Sequence, residues 1–186
     1  VLRPALAERL GASAGDGCES GRLEVFAGEM RDLLARIESW RIDAHGFDAV
    51  RDGLAETYRR ARRAMRHARK TGDDADRHEW RKQAKYHWYH VRLLRNVWKP
   101  EMDARRGELD RLSDLLGDDH DLAVLRETAA GLPGLRAGDL GPLLSLVDRR
   151  RSALQAAAYP LGERLFAEKP SAFAKRMRRY WKVWRE

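Results

Sequence analysis

His78, Arg81, Lys82, Lys85, Tyr89 and Arg92 recur at intervals of three or four residues, with Arg81 and Lys82 adjacent. Turned at about 100° per residue on a helix, these six fall in one sector about 100° wide. Upstream, Arg59, Arg62, Arg63, Arg66 and Lys70 repeat the arrangement, and residues 59–70 hold seven bases and no acid. These side chains have the chemistry of anion recognition. Arginine offers phosphate a planar bidentate fork, lysine a compact point charge, and histidine and tyrosine further hydrogen-bond donors. Grouping them without carboxylates has a cost, since like charges at i,i+4 repel by roughly a few tenths of a kcal/mol. A polyanion is the natural compensator.

The rest of the composition sharpens that contrast. The chain has 186 residues, 37 Lys plus Arg against 29 Asp plus Glu, and a net charge of +8. Residues 56–99 hold 14 of the bases and five acids, and residues 175–186 add six bases and one acid. The excess charge is therefore local. At 43% apolar and 35% charged, the sequence is too apolar for disorder. No apolar run is long enough to cross a bilayer as a helix. One cysteine, Cys18, excludes a disulfide framework and a cysteine-based zinc site, and fits a reducing, cytoplasmic compartment. The opening Val-Leu-Arg-Pro has neither an initiator Met nor an apolar leader, which suggests processing, trimming or a fragment.

The elements that must position the cations read as helices throughout. Periodicity predicts helices over about 22–41, 47–71, 76–98, 101–116, 120–130, 139–158 and 171–185. Breaks fall at a Gly/Ser/Asp-rich loop over 11–21, His45-Gly46, Thr71-Gly72-Asp73-Asp74, Lys99-Pro100, Gly131–Gly134 and Lys169-Pro170. The expected fold is a single all-α domain, a bundle of long antiparallel helices bearing a basic surface or groove. Trp80, Ala84, His87, Trp88, Val91, Leu94 and Trp98 form the expected buried face opposite the stripe. If the two stripes face one side, their cations line one surface.

Other groups are weighed beside these. His87 reads as a core residue, His90 as a flank, and His67 as the rim of the upstream stripe. No carboxylate or cysteine completes a zinc set with His87 and His90. Asp118, Asp119, His120 and Asp121 could hold Mg²⁺ or supply a catalytic carboxylate, as a phosphohydrolase would need. Helix capping plus a salt bridge to the basic stripe is the preferred reading. In the last helix Phe173, Met177, Tyr180, Trp181 and Trp184 share a face among Lys175, Arg176, Arg178, Arg179, Lys182 and Arg185. This pattern fits a membrane-surface helix; packing on the bundle, with the bases extending the cationic surface, is preferred.

The segment His78-Glu-Trp-Arg81-Lys82-Gln-Ala-Lys85-Tyr-His-Trp-Tyr89-His-Val-Arg92 resembles the signature of the CHAD (conserved histidine α-helical domain) family. Leu112-Ser-Asp-Leu-Leu-Gly117-Asp-Asp-His-Asp121-Leu resembles its Leu/Gly/Asp-Leu segment, and Tyr58-Arg-Arg-Ala-Arg62-Arg63 its basic helix. The closing Lys-Pro, Phe173, Arg179-Tyr180-Trp181 and Trp184 also look similar. Together they span about 45–186. The resemblance implies an all-helical, non-catalytic module that binds inorganic polyphosphate without a cofactor, in some members at polyphosphate granules. His78, Arg81, Lys82, Lys85 and Tyr89 match position by position. Trp88 stands where the family usually has arginine. The family has two related halves, and this chain reads as roughly the second. The competing readings are nucleic-acid binding through the same surface and, more remotely, a metal-dependent polyphosphate or triphosphate hydrolase accessory.

Overall fold

The computed structural model describes residues 19–41, 43–132 and 137–186, and every regular element among them is helical. Two compact units are present, residues 1–44 with 132–135 and residues 45–131 with 136–186. In the first unit, α1 (Glu19–Glu38) ends where the Ser39 N–H and hydroxyl both turn back to the Arg36 carbonyl. Of the loop expected over 11–21, residues 11–18 lie outside the described residues, while 19–21 already belong to α1.

The second unit contains α2 (Asp48–Thr71), α3 (Asp74–Leu93), α4 (Lys99–Ala130), α5 (Ala137–Leu165) and α6 (Pro170–Arg185). Successive helices α2 to α5 pack on one another, and α2 also contacts α5 and α6. The α2–α3 turn is short because both caps are in the chain itself. Gly72 adopts the left-handed conformation at φ +65°, its N–H bonding the Ala68 carbonyl, and Asp73 accepts the Ala75 N–H at 2.7 Å. The core joins Leu54, Tyr58 and Ala61 of α2 to Trp80, Ala84, His87 and Val91 of α3. Leu109 and Leu112 of α4, Phe166 after α5, and Phe173 and Met177 of α6 complete it. Tyr58 stacks on Phe173 at 4.5 Å and donates its hydroxyl to the Glu168 carbonyl.

Three helix boundaries differ from the periodic expectation. α3 ends at Leu93 rather than residue 98, because the following turns return Leu94 and Val97 to the core. Trp98 is thereby removed from the buried face; it starts α4 half-exposed, with its ring against Tyr180. α4 runs unbroken through Gly117, where a break was expected. A Cβ there would lie 3.2 Å from Arg81 Nε, so this glycine admits the α3 side chain rather than ending the helix. α5 continues past Pro160 because Leu161 and Leu165 are buried beyond it. Gly131 caps α4 as expected, while residues 133 and 134 of the expected turn lie outside the described residues.

Candidate anion-binding surface

On α3, the wheel places the basic stripe opposite Trp80, Ala84, His87 and Val91, all four fully buried. Lys82, Lys85, Tyr89 and Arg92 are accordingly exposed, whereas His78 and Arg81 are half-buried and lean on α4. Arg81 Nε donates to the Ser113 carbonyl at 3.3 Å beside Gly117. The His78 ring lies 4.3 Å from that of His120, and its buried Nδ1 has no hydrogen-bond partner. Burial pushes the His78 pKa down, and His120, Lys82 and Arg81 add to the shift. Arg92 sits over the Trp88 ring at 5.6 Å, so Trp88 is half-buried beneath a cation of the stripe.

On α2, Arg59, Arg63, Arg66 and Lys70 are exposed and Arg62 is half-buried, with its Nε lacking a partner. Arg62 and Arg66 line a groove with Glu163, Phe166 and Ala167, and Glu163 pairs with Arg69. Arg63 lies in a different groove, between α2 and α3, with Arg60, His67, Glu79 and Gln83. The cations therefore do not converge on one groove. Those of α2 divide between its two flanks, and Arg81 leans toward α4.

The stripes also carry more carboxylate than the periodic reading allowed. Glu56 pairs with Arg59 and, at 2.6 Å, with Arg60, while Glu79 pairs with Lys82 at 2.7 Å. Both acids sit at i,i+3 or i,i+4 from their partners, Glu56 three residues before the acid-free run 59–70 and Glu79 within the α3 segment between His78 and Arg81. Arg62, Arg63, Arg66, Lys70, Arg81, Lys85 and Arg92 still lack an ion-pair partner among the described residues.

The Asp118–Asp121 cluster proves to be divided. Because α4 is continuous there, none of it caps a helix. Asp119 is 2% exposed and accepts from Arg77 Nε at 3.0 Å, Arg151 Nε at 3.1 Å and Gln155 Nε2 at 2.9 Å. Asp74 joins the same two arginines from the outer side, and although burial opposes it, their hydrogen bonds hold its carboxyl below the usual range. Asp119 thus ties α3, α4 and α5 together through two arginines that belong to neither stripe. Among the described residues, no three His, Cys, Asp or Glu side chains are arranged to hold a metal.

His120, which sequence reasoning had grouped with those carboxylates, belongs beside His78. The signal was present: Ser113, Gly117 and His120 follow i, i+4, i+7 and share one face, but the expected break at Gly117 concealed it. His87 is a core residue, as the wheel indicates. It packs edge-on against both the Tyr58 and the Phe173 ring, 3.4 Å from Thr57 Oγ1, and burial holds its pKa well below the usual histidine value. His90 packs against Gly53, and His67 pairs with Asp76 at 3.4 Å.

The aromatic face of α6 packs on the bundle through Phe173, Met177 and a Trp181–Phe47 contact. Arg176 binds Glu168 and Glu101, which raise its pKa against the opposing effect of burial. Arg105 stacks over Phe173 at 4.5 Å and donates to the Leu165 carbonyl, and burial pushes its pKa down to about 10. No described helix is long and apolar enough to cross a membrane.

No curated protein and no solved structure matches this chain. The family model described as CHAD domain matches residues 4–130. That span starts upstream of the 45–186 over which the motifs resemble the family, and it stops before α5. It covers the N-terminal and central parts of the chain rather than a C-terminal portion, and it contains both basic helices, the His78–His120 pair and Asp119. The chain belongs to the CHAD domain family.

Proposed function

We propose that this chain is a non-catalytic binding module for inorganic polyphosphate. The observation that supports it is the set of seven cations on α2 and α3 that have no acidic partner among the described residues, while Arg77, Arg151 and Arg176 of the same unit are paired with carboxylates. A flexible polyanion needs cations repeated along its path rather than one fixed stereochemical pocket. Binding is then multidentate neutralisation with counterion release. Membership of the CHAD family agrees with a polyphosphate-related role. A place in the cytoplasm, at polyphosphate granules, belongs to the same reading.

The test is a titration with long-chain polyphosphate at several salt concentrations. Replacing Arg63, Arg66, Lys85 and Arg92 by alanine should reduce the slope of log affinity against log salt by about 3, taking about 0.7 per phosphate contact. Circular dichroism should stay helical, since all four are exposed. An unchanged slope refutes the assignment. Displacement by single- or double-stranded nucleic acid at equal phosphate concentration would move the assignment to nucleic acid. Shortening of the chains during incubation with Mg²⁺ would refute the non-catalytic part.

A further inference from the structure

Beyond the two stripes, α6 forms a second cationic groove against the start of α2. The two helices run antiparallel, with Phe47 beside Trp181 and Tyr58 beside Phe173. Between them lies a groove of about 770 Å³. Its floor includes Ala55 and Ala174, whose small side chains leave the helices open to a ligand. Lys175, Arg179 and Lys182 line one side; all are exposed, and none has an acidic partner among the described residues. Arg51 faces them from α2, and Arg178 completes the lining.

The acids present restrain this groove without neutralising it. Asp48 accepts from Arg51 and Arg178, each at 3.3 Å, so one carboxylate links the two guanidinium groups across the helix pair. Asp52 also holds Arg51, at 2.9 Å. Five cations against these two acids leave the groove positive, with two arginines fixed and three cations unrestrained. Arginines held by neighbouring carboxylates, Asp52 among the groove's own lining, are oriented in advance, which lowers the entropy lost on binding an anion.

The groove also lies in line with the cations of α2. At about 100° per residue, Arg51, Ala55, Arg59, Arg62 and Arg66 fall within one sector about 80° wide. They extend over about 22 Å of helix. A chain leaving Arg62 and Arg66 toward the start of α2 therefore reaches Arg51 and the α6 lysines without crossing the bundle.

We propose that the α2–α6 groove is a second phosphate-binding site, which takes the continuation of a polyphosphate chain held along α2. This rests on the polyphosphate reading above. A chain that engages both regions gains from effective concentration, because its second contact is intramolecular. The groove then makes long chains bind more tightly than short ones.

The test uses the full chain and the variant Lys175→Ala/Arg179→Ala/Lys182→Ala, which leaves Arg51, Asp48 and Arg178 in place. The control, Arg149→Ala/Arg150→Ala/Arg164→Ala, removes three exposed α5 cations outside the groove. Long-chain polyphosphate and tripolyphosphate are titrated at several salt concentrations. The groove variant should bind the long chain about tenfold or more weakly, with a salt slope smaller by about 2. Its preference for the long chain over tripolyphosphate should shrink, while the control variant keeps both. Equal losses in the two variants would mean that only net charge matters and would overturn the proposal. A wild-type chain that binds polyphosphate beside a groove variant with unaltered slope would overturn it alone, leaving the α2–α3 reading intact. A wild-type chain that binds no polyphosphate overturns both.

Discussion

Asp119 is the residue whose removal should do most damage to the bundle while leaving the cationic surface untouched. It is 2% exposed, and Arg77 and Arg151 beside it are 7% and 8% exposed. Removing one partner from a buried ion pair costs about 3–5 kcal/mol, because the remaining charge is left without compensation. In Asp119→Ala two arginines and Gln155 lose an acceptor. The Arg77 and Arg151 contacts to Asp74 survive, as does the Arg77 bond to the Gly72 carbonyl at 2.8 Å, which keeps the penalty near the middle of the range. A loss of about 4 kcal/mol is a large part of the 5–15 kcal/mol that ordinarily separates folded from unfolded states. At about 2–4 °C per kcal/mol for a unit of this size, the melting temperature should fall by about 10 °C. Urea unfolding followed by circular dichroism gives the difference directly. Arg77→Met/Asp119→Leu/Arg151→Met should recover most of it, since an apolar replacement of a whole buried network is often close to neutral. At a temperature where Asp119→Ala is folded, polyphosphate affinity should be unchanged. A variant within 1 kcal/mol of wild type would refute the account of Asp119 as a buried tie. Normal stability with lost binding would instead give the carboxylate a direct role at the ligand.

Gly162→Ala would place a Cβ 2.5 Å from Trp80 Cζ2 and 2.8 Å from Met65 Sδ, so overpacking of about 1–3 kcal/mol should exceed the helix-propensity gain of up to about 1 kcal/mol. Gly107→Ala, with open space at the same atom, should stabilise by about 0.5–1 kcal/mol; thermal melts of the pair check both signs. The depressed His87 pKa makes its contribution to stability complete above the ordinary histidine value near 6.5 and progressively lost as pH falls below it, at up to about 1.4 kcal/mol per pH unit. His87→Leu should flatten that part of the pH–stability curve, and an unchanged slope would contradict the assignment. At His78 the free protein disfavours the charged ring, through burial and then through His120, Lys82 and Arg81, with Glu79 in opposition. A bound polyanion reverses that balance, so polyphosphate affinity should rise as pH falls through the histidine range, by up to about tenfold per unit, and His78→Gln should weaken the dependence.

The helices and their inward faces were legible because burial imposes a strict period. Trp80, Ala84, His87 and Val91 follow it and are fully buried. Gly72 and Asp73 announced their turn by the conformation each permits. What failed were inferences from single residue types. Gly117 lies inside a helix because the Arg81 side chain needs the space of a missing Cβ, and nothing local distinguishes such a glycine from a terminator. The run Asp118–Asp121 read as one helix cap bridged to the basic stripe, yet α4 is continuous there and turns Asp119 inward toward Arg77 and Arg151, outside the stripe, while Asp118 and Asp121 remain exposed. The cations themselves were identifiable, but their division among grooves was not. That division depends on how α2 lies between α3, α5 and α6.

The chain uses arginine in two opposed ways, and the contrast bears on how binding and stability are linked. Arg77, Arg151 and Arg176 are drawn inward and matched to Asp74, Asp119, Glu101 and Glu168, so their charge is compensated within the fold. Arg62, Arg63, Arg66 and Lys70 on α2, and Arg81 and Lys85 on α3, each stand three or four residues from another cation without such partners. Their repulsion together amounts to about 1–2 kcal/mol. A phosphate polymer along α2 or α3 removes that repulsion only in the folded state, where the helices hold the cations in line. The unfolded chain binds the same polymer with its charges scattered. Polyphosphate should therefore stabilise the bundle as well as bind it, by less than the roughly 2.7 kcal/mol that a ligand at about a hundred times its dissociation constant gives when the unfolded chain does not bind it at all. Because the added stability comes from the surface cations, it should be present in Asp119→Ala and reduced in the stripe variants.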